Sequence, residues 1–375
     1  MPLSNKLVGT ALLSSRQLYN ILPRDSFLAS RRMSTQALVT RWMGKNFLEH
    51  EEVKLPALGP KQLLTKVIAA AQNPTDVKSF DQNRFGSGAM LGCDICGSVE
   101  EVGTEVTRFK RGDRVAGLLM QGRTTQPGAY AKHTIAEEGL SFKVPENITS
   151  EEAATVPLAC NTAWLAFLSP YSLGIDRMKS KDIQLLIWGG SSSVGQYAIQ
   201  IANVLGFQFA TTCRNRKVVE SLGAEHIFDY TSKSVVEEIK KTLPNIRYVL
   251  DCIGTEESSA LASETVVEAG GKLCTIQPGK RNTGKVAERV NVTDVLVFTA
   301  FYEELNYGKV TVAPRQEDRD LSQEMYNCLP AWLESGKVKP NKPRIVDGGL
   351  DGVEEGFSLY RSGKISGEKV VYQIG

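Results

Sequence analysis

Histidine is nearly absent from this chain, with three in 375 residues. His50 lies in a charged turn beside Glu49, Glu51 and Glu52, His133 in a β-rich stretch and His226 on the approach to a strand. None sits in a triad-like context, which removes the commonest signature of nucleophilic hydrolysis. An excess of charge is missing too. Forty-four basic residues against 42 acidic ones leave +2, so nothing calls for a polyanionic partner such as nucleic acid. No apolar run approaches the length of a membrane span. The seven cysteines are scattered and follow no secretory signal, which points to a reducing compartment. Internal repeats and low-complexity segments are also lacking. What remains, 42% hydrophobic and 23% charged residues, is ordinary for a globular protein, and the length suits two domains.

Residues 1–32 stand apart. They carry Lys6, Arg16, Arg24, Arg31 and Arg32 against one acid, Asp25, and Leu7, Ala11, Leu18 and Leu22 fit one helix face. Two readings stay open: a mitochondrial presequence, or an extension ahead of a start at Met33. The expected location is accordingly cytoplasmic or mitochondrial, and 1–33 is set aside from the fold.

Residues 34–157 are strand-like and punctuated by glycine, with β-prone runs at 63–72, 97–103, 113–119 and 129–136. A helical run follows over 150–168. From 183 onward strands (183–188, 207–212, 226–228, 247–252, 271–276, 294–301) alternate with helices (193–205, 215–222, 233–242, 257–268, 323–335), the pattern of a doubly wound parallel sheet. The expected cofactor domain is 158–305. The tail, 306–375, with a short helix near 351–362 and a last strand at 368–373, should return to the β-rich half.

The segment 183–217 carries the clearest chemistry. An apolar strand runs into Gly189-Gly190-Ser191-Ser192-Ser193-Val194-Gly195 and then a helix. Glycines permit a tight turn and close approach of a pyrophosphate, which the helix N-terminus attracts. Where an NAD site places an acid after the second strand, this chain reads Thr211-Thr212-Cys213-Arg214-Asn215-Arg216-Lys217. Cations there favour a 2′-phosphate, hence NADPH.

Taken in order, AAAQNPTDVK (69–78), LGCDICGSVEEVG (91–103), FKRGDRVAG (109–117), EEAATVPLACNTAW (151–164), the glycine turn, SLGAEHIFDY (221–230), LDCIG (250–254) and SGKISGEKVV (362–371) resemble the medium-chain dehydrogenase/reductase superfamily. The resemblance is to its zinc-independent quinone and enoyl reductase branch, most of all to fungal trans-acting enoyl reductases. It implies a GroES-like β-rich domain with an inserted Rossmann domain. It further implies a small-molecule or carrier-bound acyl substrate, a polyketide synthase as partner, and a monomer or a homodimer paired through the edge strand 294–301. Zinc members bind the metal through Cys, then His in G-H-E, then Cys or Asp. Here those positions read Asn73, Cys93 and at best Cys160, a poor zinc set. Cys93-Asp94-Ile95-Cys96 reads as two small buried side chains rather than a redox pair.

Without a Lewis acid, a carbonyl must be polarised by hydrogen bonds or a cation, which suits hydride addition to an activated C=C bond. The candidate catalytic residues are Thr75, Lys78 and Thr162. Asn73 should hold the nicotinamide or substrate. The resemblance adds Tyr230, Ser366 and Lys369 to the cofactor contacts Gly189, Ser192, Ser193, Val194, Gly195, Arg214, Asn215, Arg216 and Lys217. Tyr360-x-x-x-Lys364 has a short-chain dehydrogenase spacing but lies outside the dinucleotide segment. The alternatives to an enoyl reductase are a quinone oxidoreductase and a non-catalytic NADPH-binding protein.

Overall fold

The computed structural model describes residues 33–122, 127–307 and 310–375, so the presequence reading lies outside the described residues. Two sheets organise the rest. The first orders strands Lys342–Val346, Glu368–Gln373, Gln62–Ala71, Asp94–Val102, Arg114–Leu118 and Ser141–Lys143, with His133–Glu137 also on Gln62–Ala71. Its pairs are antiparallel except the first, which joins the two tail strands in parallel. Along Gln62–Ala71 the strand period of two sorts the core. Ala70 enters the cluster of the β-rich half, while Ala69 and Ala71 enter the cluster that continues beneath the second sheet.

Four helices frame the region between the sheets. Helix α1 (Pro74–Asp81) starts after an extended Asn73, with proline at its first position, where no N–H is needed. Helix α2 (Ser150–Ala154) is capped reciprocally by Thr149 and Glu152. Helix α3 (Pro157–Leu168) is buried along its whole length. The sequence reads as one helix over 150–168; Pro157 splits it, because its ring nitrogen has no N–H to donate to the preceding turn. Helix α4 (Ser193–Leu205) ends on Gly206 in the left-handed conformation.

The second sheet has six parallel strands, ordered His226–Phe228, Gln208–Thr212, Gln184–Trp188, Tyr248–Asp251, Gly271–Thr275 and Val290–Asp294. In chain order this is 3-2-1-4-5-6, the doubly wound arrangement that opens a crevice at the carboxyl ends of its central strands. The last strand differs from expectation. The edge is Val290–Asp294, and Val297–Phe301, expected as strand, is a buried 3₁₀ turn. A continuous apolar run does not distinguish the two by periodicity. The long tail helix runs over Gln316–Glu334, beginning seven residues before its expected start at 323.

Candidate functional site

Strand Gln184–Trp188 ends on Gly189, whose φ of +87° suits glycine. The turn is tied to the neighbouring strand: the N–H of Gly189 donates to Thr212 Oγ1 (3.0 Å) and that of Gly190 to the Thr212 carbonyl (2.8 Å). A Cβ on Gly190 would lie 2.1 Å from Thr211 Oγ1, and one on Gly195 would lie 2.3 Å from the Gly189 carbonyl oxygen. These two glycines therefore let strand, turn and α4 close together. Ser192 caps α4 by accepting from the Gly195 N–H at 3.1 Å, while Ser193 Oγ accepts from Asn341 Nδ2 at 2.6 Å. The serines thus fix the helix start, where uncompensated N–H groups face outward. Replacing Gly195 with alanine should cost about 1–3 kcal/mol, an overpacking penalty, read as a lower denaturation midpoint together with weaker dinucleotide binding.

Arg214, Asn215, Arg216, Lys217, Gly363 and Ser366 line an open hollow of about 600 Å³. Its cations are not equivalent. Arg216 donates to the Ile227 carbonyl (2.7 Å) and pairs with Glu220 (3.4 Å), whereas Arg214 and Lys217 are exposed and have no carboxylate partner among the described residues. Tyr230 does not line this hollow. It is half-buried with Phe228 on the apolar cluster of the second sheet.

Asn73, Thr75, Lys78, Thr162 and Val194 share a second cavity of about 610 Å³, between α1, α3, the start of α4 and residues 276–298. Their hydrogen bonds divide the roles. Gln121 Nε2 donates to Thr75 Oγ1 (3.3 Å) and Gln121 Oε1 accepts from the Gly92 N–H (3.3 Å), which fixes the amide's orientation. The Thr75 hydroxyl proton is left to point elsewhere. Thr162 Oγ1 instead donates to the Leu158 carbonyl one turn back (2.7 Å), so Thr162 is an acceptor toward the cavity and not the donor expected from the sequence. Burial and, secondarily, the Arg281 guanidinium pull the Lys78 ammonium below the ordinary lysine value.

The mouth carries Arg84, Lys280, Arg281 and Arg315 in addition to Lys78, against one acid, Asp294. Asp294 accepts from the Gly279 N–H at 2.7 Å. Lys280 and Arg281 were not singled out from the sequence. Two adjacent cations straight after Pro278-Gly279, in a turn leaving a sheet strand, were the available signal.

Lys369 corrects an expectation. Its side chain is 3% exposed and its ammonium lies 2.6 Å from the fully buried Asp94, so it is an internal ion pair and no contact for a dinucleotide. Asn73 Nδ2 donates to the same Asp94 oxygen at 2.8 Å. Cys93 Sγ donates to Asp76 Oδ1 at 3.4 Å. Burial pushes the Cys93 thiol well up and that of Cys96 to about 12, in keeping with two unreactive core cysteines. Burial also raises Asp76, with its carboxyl at about 7, although Asn73 N–H and Tyr130 Oη both donate to it.

Residues 59–146 match the alcohol dehydrogenase GroES-like domain and 193–303 the zinc-binding dehydrogenase domain. The trans-enoyl reductase pvhC of Talaromyces variabilis is 32% identical over 359 residues, spanning 91% of this chain and 99% of that protein. The chain belongs to the trans-enoyl reductase family of medium-chain dehydrogenases. Another relative of this medium-chain reductase is lovC, the enoyl reductase component of the lovastatin nonaketide synthase of Aspergillus terreus, 30% identical over 87% of this chain and 94% of that one. A putative zinc-dependent alcohol dehydrogenase from Rhizobium etli CFN 42 shares the fold, with a TM-score of 0.74, 24% identity, and coverage of 91% of this chain and 98% of its own.

Membership brings a nicotinamide cofactor, and the glycine cradle at the start of α4 fits one. Zinc does not fit. Where the metal's ligands would stand, at Asn73, Cys93 and Cys160, this reductase has an amide that donates to a carboxylate and two thiols that burial pushes up, and a lysine ammonium lies 2.6 Å from that carboxylate. No cluster of three or more His, Cys, Asp or Glu side chains suited to a metal occurs among the described residues. No helix among them is long and apolar enough to cross a membrane.

Proposed function

We propose that this reductase uses NADPH to saturate the C=C bond of an enoyl thioester, carried to it by a polyketide synthase of secondary metabolism. The observation that carries this reading is the single cavity in which Thr75 and Lys78 meet the start of the dinucleotide helix under a cationic mouth. The relatives named trans-enoyl reductases support it. Arg214, Lys217 and Ser366 would hold the 2′-phosphate end and the turn at Gly189–Gly195 the pyrophosphate. When bound, the cofactor supplies a hydride for the β-carbon.

The chain's own residues do the rest. Negative charge develops on the thioester oxygen as the β-carbon is reduced, and this charge needs donors already in place. The Thr75 hydroxyl, with Gln121 donating to it, has its proton free to give to that oxygen. The Lys78 ammonium compensates the charge. Because its proton is held less tightly than that of an ordinary lysine, Nζ is also the better acid for the α-carbon. Thr162, already donating to its own helix, orients donors on the substrate. A phosphopantetheine arm carries a phosphate, and Lys280, Arg281 and Arg315 at the mouth suit one.

NADPH consumption measured separately with a crotonyl thioester, an alkenal and a quinone tests this. The thioester should turn over fastest. A faster quinone would replace the reading with quinone reduction, and tight NADPH binding without turnover of any acceptor would replace it with a non-catalytic binding protein.

A further inference from the structure

One cation at the cavity mouth is held differently from its neighbours. Lys280 and Arg281 are exposed on a turn, with no carboxylate partner among the described residues. Arg315, just ahead of the tail helix, is part-buried. Its guanidinium carbon stands 4.2 Å from the centre of the Tyr171 ring. The Tyr171 hydroxyl in turn donates to Glu317 at 3.3 Å, so the ring is tied to the first turn of the same helix. Arg315 Nη1 lies 3.6 Å from Oδ2 of the buried Asp318, whose Oδ1 has no hydrogen-bond partner among the described residues. A buried carboxylate needs a counter-charge, and Arg315 is the cation within ion-pair distance among those residues.

Stacking and charge thus fix where the guanidinium stands without occupying it. At 3.6 Å the Asp318 contact is too long for a hydrogen bond, and none of the five guanidinium N–H groups makes one among the described residues. A guanidinium oriented in advance, with its fork unspent, receives a pair of anionic oxygens at little ordering cost. On the pantetheine arm of an enoyl thioester the terminal phosphate is the anionic group. We propose that Arg315, stacked on Tyr171 and held by Asp318, is a specificity residue that grips this phosphate, so that the reductase selects acyl chains borne on a phosphorylated pantetheine. Its role rests on the reading above that an enoyl thioester enters this cavity.

The quantity to measure is kcat/KM of the full chain, at saturating NADPH, for four crotonyl thioesters. These are the thioesters of pantetheine, of 4′-phosphopantetheine, of its phosphate methyl ester, which copies the linkage to a carrier serine, and of coenzyme A. Salt at about 0.3 M screens the exposed cations. Wild type should favour each phosphorylated thioester over the pantetheine one by about 10- to 100-fold, the range for a hydrogen bond to a charged group. Arg315→Gln should bring that ratio to about one to three. Tyr171→Leu should lower it severalfold, and Tyr171→Phe, which keeps the ring, should not. The ratio is taken within each variant, so a general loss of activity cancels from it. Should Arg315→Gln not fold with Asp318 left unbalanced, Arg315→Gln with Asp318→Asn removes both charges and serves the same measurement. A ratio kept near the wild-type value in Arg315→Gln would overturn the proposal, and a marked loss of NADPH affinity beside it would move Arg315 to the cofactor's diphosphate. A preference confined to coenzyme A would make its nucleotide the group recognised and overturn the proposal as well. Turnover of no enoyl thioester would bring down the proposed function and this role together, whereas equal turnover of all four would overturn this role alone.

Discussion

Lys78→Ala should lower turnover of an enoyl thioester by about 10²-fold, the usual loss when one oxyanion donor is removed, while NADPH affinity stays within about twofold. Lys78 is half-buried on α1 and lines the cavity with Thr75, whereas the residues proposed to hold the phosphates of the dinucleotide come from the second sheet, α4 and the tail. Its ammonium therefore acts on the acyl group. A pH profile gives a second check. Lys78 must be protonated to work, and its value is pulled below the ordinary 10.5 by burial and by Arg281. Activity is thus present below that lowered value and lost as pH rises through it, so the alkaline limb of kcat should lie below the ordinary lysine range and vanish in Lys78→Ala. Collapse of NADPH affinity in the variant, with turnover at saturating NADPH unchanged, would move Lys78 from the substrate to the cofactor.

Arg214→Ala with Lys217→Ala should weaken NADPH binding by about 10²-fold, two charge-assisted contacts at a phosphate, and leave NADH binding within about twofold. The preference should depend on salt, because both side chains are exposed and such charges are screened over about 10 Å at 0.1 M ionic strength. Arg216→Ala should do less to cofactor choice. Its guanidinium already bonds the Ile227 carbonyl and Glu220. Equal affinity of the wild-type protein for NADPH and NADH would refute the assignment of this hollow.

The parallel sheet was legible because its strands are short apolar runs separated by periodic helices, and the glycine turn because backbone approach requires glycine wherever it occurs. Strand Val290–Asp294 was not. It alternates weakly, with Val290 buried and Asn291 exposed, and sits beside a stronger apolar run that is not a strand. At the site, Asn73, Thr75, Lys78 and Thr162 were found from a motif, and the structure brings all four to one cavity. Which of them can donate was hidden, since that depends on Gln121 and on the Leu158 carbonyl. The Asp94–Lys369 pair was hidden for a different reason. Its members are 275 residues apart, and only the return of the tail strand to Gln62–Ala71 brings Lys369 into the core.

The cysteines have a practical consequence. Six of the seven are buried, and burial raises the thiols of all six; Cys328, on the tail helix, is the one that reaches solvent. Burial raises its thiol too, yet it lines neither hollow. A thiol reagent should therefore label Cys328 ahead of the other six in the folded protein. A fluorophore or spin probe directed there would report from one known point on the tail helix.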